Sequence, residues 1–211
     1  MHLLLTDRLT CPRCGPSFGL ILLTHRVEER RVHEGVLGCS NCRDSFPIVD
    51  GFADLRAPPR GERPTGMVGS PEGGADIGIE AARLSALLGI AGGPGTVALV
   101  GEPARQACVL AETAEDLHVV AIDADLAGWP DAPRVSRLVS APGLPFFSGM
   151  LRGVVVDGRL GRPWVEEAIR VVAPLSRVIV TRAAEWALQT LEDGGLEVLA
   201  SETETIVAAS G

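Results

Sequence analysis

The chain has 211 residues, 46% hydrophobic and 22% charged, so it carries enough apolar material for a core, and no apolar run approaches the roughly 20 residues that span a bilayer. These totals exclude a disordered polymer and a helical membrane protein. The net charge of −8 is uneven: residues 1–60 hold eight Arg against seven acids, and residues 61–211 hold eleven Arg against twenty acids, so direct nucleic-acid binding, which needs a basic surface, is not expected.

The opening stretch MHLLLTDRLT lacks the basic start and long apolar run of a secretory signal, so a cytoplasmic chain is expected. Four of the five cysteines form two Cys-x-x-Cys pairs, Cys11 with Cys14 and Cys39 with Cys42. In a reducing compartment that spacing points to a thiolate metal site, because each tight turn lets two sulfurs reach one point about 2.3 Å away. The alternative is a set of redox-active or merely buried thiols. A redox pair, however, usually occurs once and beside a βαβ pattern. The twenty-four residues between the pairs read as two strands around a polar turn near Glu28 to Arg31. The prediction is a β-rich zinc ribbon over residues 1–56, with Cys11, Cys14, Cys39 and Cys42 around one structural zinc ion. His25 and His33 are expected on strand surfaces, since four thiolates already close the shell.

LTCPRCG followed by the hairpin and GCSNCRDSFPIVDGFADL resembles the small zinc-ribbon proteins that bind and activate tRNA, rRNA and release-factor methyltransferases. The tail with Phe46, Pro47, Ile48, Asp50, Gly51 and Leu55 carries more of the likeness than the cysteines do. In that family the ribbon stabilises a methyltransferase by lying along its sheet edge. The resemblance covers about the first quarter of the chain and implies a module that binds a protein partner, either a methyltransferase or a second copy of this chain.

Residues 57–76 are rich in proline and glycine and poor in apolar side chains, and they read as a flexible linker. Ile79, Ala82, Leu84, Leu87 and Leu88 then recur at helical spacing up to a GGPG stop. Beyond it, apolar runs alternate with helical stretches: strands at 96–101, 117–123, 135–140, 153–158 and 177–182, a closing pair near the end, and helices over 103–115, 163–173 and 183–193. That order predicts an α/β, Rossmann-like domain over residues 77–211, with a mostly parallel sheet.

The stretch GLPFFSGMLRGVVVDGRLGRPWVEEAIRVVAPLSRVIVT is similar to the middle of class I S-adenosylmethionine-dependent methyltransferases, and TVALVGEPARQA and HVVAIDAD fall where those enzymes have their first loop and the acid ending the second strand. The likeness implies that Gly101, Glu102 and Asp123 line a site for S-adenosylmethionine. Departures from the family argue that the pocket is remodelled or lost. The loop has one glycine, Gly101, where the family uses several, and Pro103 removes a backbone donor. Ser140, Ala141 and Pro142 replace the acid before LPF. About twenty residues separate Asp123 from Leu144, too few for the usual helix. Leu175 and Ser176 stand where the family has glycines.

Asp123 reads equally as a ribose ligand and as a strand-end cap. Gly101 reads as a turn former before a ligand contact, and Asp157, before a glycine, as a turn former. Cys108 reads as a small core side chain, and Trp129, Trp164 and Trp186 as packing. No catalytic set is predicted. The leading expectation is a zinc-ribbon protein fused to a degenerate methyltransferase-like domain that works through protein contacts; the alternative is an active methyltransferase stabilised in cis by its ribbon. An open cleft beside Gly101 and Asp123 would favour the enzyme, and one filled by the linker, Glu102 or Pro103 would favour the binding module.

Overall fold

The computed structural model describes residues 1–70, 77–90 and 92–211. After a 3-10 turn at Leu3–Arg8, the ribbon consists of β1 (Thr10–Cys11), β2 (Gly15–Glu28), β3 (Arg31–Cys39), β4 (Ser45–Val49) and β5 (Phe52–Arg56). Two-residue turns join β2 to β3 and β4 to β5. Glu29 and Arg30 in the first, and Asp50 and Gly51 in the second, all have positive φ. Such turns match the right-handed twist of the strands they join, and Asp-Gly is among the sequences that favour them. Alternation then sets the faces. Leu37, Phe46 and Ile48 are buried, while their neighbours Val36 and Pro47 face outward.

The rest of the chain runs α1 (Ile77–Leu88), β6 (Gly95–Val100), a 3-10 turn (Glu102–Gln106), α2 (Ala107–Thr113), β7 (Leu117–Ile122), β8 (Val135–Ala141), β9 (Leu151–Asp157), α3 (Arg162–Val171), β10 (Val172–Thr181), α4 (Glu185–Asp193), β11 (Leu196–Glu202) and β12 (Thr205–Ser210). Every expected element is present. The helix expected over 103–115 is split, because Pro103 at the first turn leads a tight 3-10 segment before regular helix starts. Between β7 and β8 the chain makes only a 3-10 turn at Ala124–Gly128, as the short spacing implied.

All twelve strands join one sheet in the order β1-β2-β3-β4-β5-β8-β7-β6-β9-β10-β12-β11. Strands β8, β7, β6, β9 and β10 are mutually parallel, and β12 returns antiparallel beside β10. β5 pairs in parallel with β8 from Phe52 opposite Arg137 to Arg56 opposite Ala141, so the ribbon continues the sheet past what would be an edge. The central strands are apolar on both faces, as a sheet covered on both sides requires. Ala98, Val120, Val154 and Val178 pack with α3, α4 and the ribbon's inner face. Val97, Leu99, Val119 and Val155 pack with α1 and α2. No helix among the described residues is long and apolar enough to cross a membrane.

Candidate functional site

The two Cys-x-x-Cys turns bring Cys11, Cys14, Cys39 and Cys42 together, with all four sulfurs within 4.8 Å of one another. Cys11 Sγ lies 3.6 Å from Cys42 Sγ, and Cys39 Sγ lies 3.8 Å from Cys14 Sγ. These spacings are far beyond a disulfide bond. They match a tetrahedron of sulfurs, whose edge is about 3.8 Å when each sulfur stands about 2.3 Å from a central ion. The four cysteines can therefore hold a metal ion. Backbone and amide donors already point at the sulfurs: Cys14 N–H donates to Cys11 Sγ at 3.4 Å and Asn41 Nδ2 to Cys14 Sγ at 3.3 Å. Burial opposes ionisation of Cys39, but the N–H groups of Cys42 and Asn41 outweigh it and bring the thiol down to about 7, whereas burial pushes Cys42 up. His25 is exposed on β2 and His33 half-buried on β3, and neither joins the cluster.

The second site lies at the carboxyl ends of β6 and β7, where ligands bind in sheets of this kind. Gly101 has φ +74° and ψ −140°, a conformation that side chains disfavour, so the turn out of β6 needs glycine there. Asp123 caps the 3-10 turn after β7, with Oδ1 accepting from Asp125 N–H at 2.9 Å. Glu102 turns away toward β10 and pairs with Arg182 at 2.9 Å.

The space between Gly101 and Asp123 is taken by the chain itself. Residues 57–76 read as a linker without a core, yet within the described part, 57–70, the stretch Gly66–Gly69 is docked while 61–65 stay exposed. Met67 N–H donates to Asp123 Oδ2 at 2.9 Å, and Gly66 and Gly69 N–H donate to the two oxygens of Asp125 at 2.9 and 2.7 Å. Trp129 Nε1 donates to Gly69 O at 2.9 Å, and Val68 is 1% exposed. A Cβ on Gly101 would stand 3.4 Å from Met67 Sδ. The strap's other end is tied to the ribbon. Arg56, paired with Asp54, donates to Arg60 O at 3.2 Å and Glu62 O at 2.8 Å. Arg60 reaches Ser45 O and lies over the Phe46 ring. Residues 71–76 lie outside the described residues.

Asp157, wholly buried at the end of β9, accepts from Arg159 N–H at 3.0 Å and pairs with the Arg159 and Arg182 guanidiniums. Burial opposes its ionisation, but the Arg159 hydrogen bonds outweigh that and hold the carboxyl below its usual range. It caps a turn. Cys108 is half-buried against the core on α2, and burial, followed by the Glu112 charge, raises its thiol, the opposite of an activated nucleophile. Trp129, Trp164 and Trp186 pack against the core, as expected. A separate cleft of about 440 Å³ opens between α1 and the ends of β6 and β10, lined by Arg83, Glu102, Gln106, Thr181 and Arg182 but by neither Gly101 nor Asp123.

Sequence reasoning missed Asp125 and the strap residues Gly66, Met67 and Gly69. The signal was an Asp-x-Asp pair and a G-x-x-G spacing inside a segment that composition alone assigns to a linker.

No protein-family model matches the chain, and no curated protein shows significant sequence similarity to it. Solved structures do share its fold. A precorrin-6y C5,15-methyltransferase from Geobacter metallireducens GS-15 superposes with TM-score 0.50 at 14% identity, over 62% of this chain and 87% of that one. An S-adenosyl-L-methionine-dependent methyltransferase from Methanococcus maripaludis gives TM-score 0.48 at 13% identity, over 64% of this chain and 86% of that one. A complex of the Haloferax volcanii Trm112 methyltransferase activator with a methyltransferase gives TM-score 0.46 at 16% identity, over 63% and 81%. The fold is methyltransferase-like. In this protein it carries a four-cysteine cluster at its N-terminal end.

Proposed function

We propose that this protein is a zinc-ribbon protein with a degenerate methyltransferase-like domain, acting as a scaffold or activator through contacts with a protein partner. The zinc ion is structural, bound by Cys11, Cys14, Cys39 and Cys42. Four thiolates leave no open position, so zinc supplies folding free energy and no chemistry. One observation carries the reading: the strap at Gly66–Gly69 takes both oxygens of Asp125 and one of Asp123, while Asp125 N–H takes the other. A ribose diol placed as in the resembling enzymes would need Asp123 and meets a carboxylate already bonded at both oxygens. Met67 over Gly101 crowds the remaining approach.

A second reading keeps one supporting observation. Asp123 does end the second strand, and Gly101 does open the first loop, so an active S-adenosylmethionine-dependent methyltransferase stabilised in cis by its ribbon would need only the strap to withdraw. Such an enzyme needs no general base where the sulfonium is already activated and positioning supplies the rate. Calorimetric titration of the zinc-loaded protein with S-adenosylmethionine and S-adenosylhomocysteine separates the two. The scaffold reading expects no heat from either ligand. Micromolar binding that Asp123→Ala weakens would replace it with the enzyme.

A further inference from the structure

The outer face of the ribbon departs from the usual pattern of an antiparallel sheet packed on one side, which shows polar side chains to water on the other. Leu23 stands opposite Val36, and Val36 opposite Pro47. Alternation puts Ile21 and Val49 on the same face. Ile21, Leu23 and Val49 are 59%, 62% and 59% exposed. Core packing does not explain them, because the ribbon's inner face already supplies Leu37, Phe46 and Ile48.

We infer that this face seats the same face of a second copy of the chain, related by a two-fold axis through the Leu23–Val36–Pro47 row. The inference rests on the proposed protein-contact role and names one partner for it. Two features favour a second copy. Two sheets with identical twist pack face to face at about −30°, their side chains interdigitating, and a two-fold makes one apolar row self-complementary. Charge differs between the ends of the face. The Glu28, Glu34 and Asp50 side chains, 61%, 52% and 82% exposed, surround Arg26 at the hairpin end, whereas at the cysteine end Arg13 is already paired with Asp44 at 2.9 Å and exposed Arg43 adds a positive charge. An antiparallel two-fold lays the net-acidic end of one copy over the end of the other that carries Arg43, whereas a parallel one would lay the acidic ends together.

Sedimentation equilibrium of the full zinc-loaded chain tests this, run up to about 200 µM, well above the micromolar constant expected of a small interface. Wild-type protein should move from 22.1 kDa toward twice that mass as concentration rises. Leu23→Glu should stay monomeric with unchanged zinc content and melting temperature, Leu23→Met should still dimerise, and added salt should weaken the wild-type dimer. A wild type that remains monomeric throughout overturns the inference, as does a dimer that survives both Leu23→Glu and Val49→Glu. Binding of S-adenosylmethionine by an intact dimer would overturn the scaffold reading and leave this interface standing.

Discussion

Adding one methyl group at Gly66 tests whether the strap is seated on the two acids. A Cβ there would lie 1.8 Å from Asp123 Oδ1 and 2.6 Å from Asp125 Cγ. Neither carboxylate is free to swing aside, since Asp123 Oδ1 is held by Asp125 N–H and both Asp125 oxygens by the strap. In Gly66→Ala the strap must lift and lose its three N–H bonds to carboxylate. Bonds to a charged acceptor contribute roughly 1.5–3 kcal/mol each when buried, and water replaces part of that at an exposed site such as Gly69, leaving about 3 kcal/mol in total. At about 1.4 kcal/mol per tenfold, the amides of Met67 to Gly69 should exchange about 100-fold faster. Gly69→Ala is the control: its φ of +69° strains a side chain but nothing lies within 4 Å. That strain costs about 1 to 2 kcal/mol, so the increase should be about 30-fold at most. Gly61→Ala, at φ +60° with open space, should leave these amides unchanged. Equal exchange in wild type and Gly66→Ala would refute the docking of the strap.

Chelation should release one zinc per chain and lower the melting temperature by about 10 °C or more, since structural zinc free energy is folding free energy; an unchanged melt, or a metal content below one per chain in Cys14→Ser and wild type alike, would count against the site. Arg56→Ala removes a guanidinium whose side chain is 9% exposed and leaves Asp54, 17% exposed, without its partner. The loss should be about 3 kcal/mol in urea unfolding, and a value under about 1 kcal/mol would mean that the pair is effectively solvated. Burial lowers His118 to about 3, with further lowering from neighbouring positive charge, while Ser136 Oγ holds its ring at 2.9 Å. Because the folded value lies below the unfolded one, this contribution is complete above about pH 6.5 and falls as pH drops toward 3. The His118 share of this loss should be about 2 kcal/mol from pH 7 to 5, and His118→Gln should make the slope shallower by that amount; an identical slope in the variant would assign it to other groups.

The elements were legible because their causes are local. The polar turn near Glu28 to Arg31 and the short apolar runs at 96–101, 117–123 and 153–158, bounded by turn residues, are readable within a few positions, whereas SFPIV and FADLR show themselves as β4 and β5 only in the structure. The cysteine cluster was legible for the same reason, since each half of it is a four-residue turn. The strap was not. Its contacts join residues 66–69 to residues 123–129, more than fifty positions away, and its donors are backbone N–H groups, whose only trace in the sequence is the Gly66–Gly69 spacing and the Asp123–Asp125 pair. Composition read the segment's lack of apolar residues as a lack of structure. In fact one buried side chain, Val68, and the main chain suffice where carboxylates are waiting. The outer face of the ribbon was hidden differently: β2 alternates as a strand should, but which of its two apolar faces meets the core follows only from the pairing with β3 and β4.

The direction of β5 connects the two ends of the molecule. Because β5 runs parallel to β8, the chain leaves it at Arg56 on the same end of the sheet where β6 and β7 present Gly101 and Asp123. An antiparallel β5 would release it at the opposite end. From Arg56 the strap needs to cross β8 and reach β7, two strand spacings of about 4.8 Å, and the ten residues to Gly66 can extend roughly 33 Å. The surplus length is folded back by Arg56, which gathers the carbonyls of Arg60 and Glu62, so the strap arrives at the acids already ordered at its ribbon end. Covering the β8 edge and filling the cleft are thus consequences of a single strand orientation, and a ribbon acting in trans, with no chain joining it to the sheet, could do the first without the second.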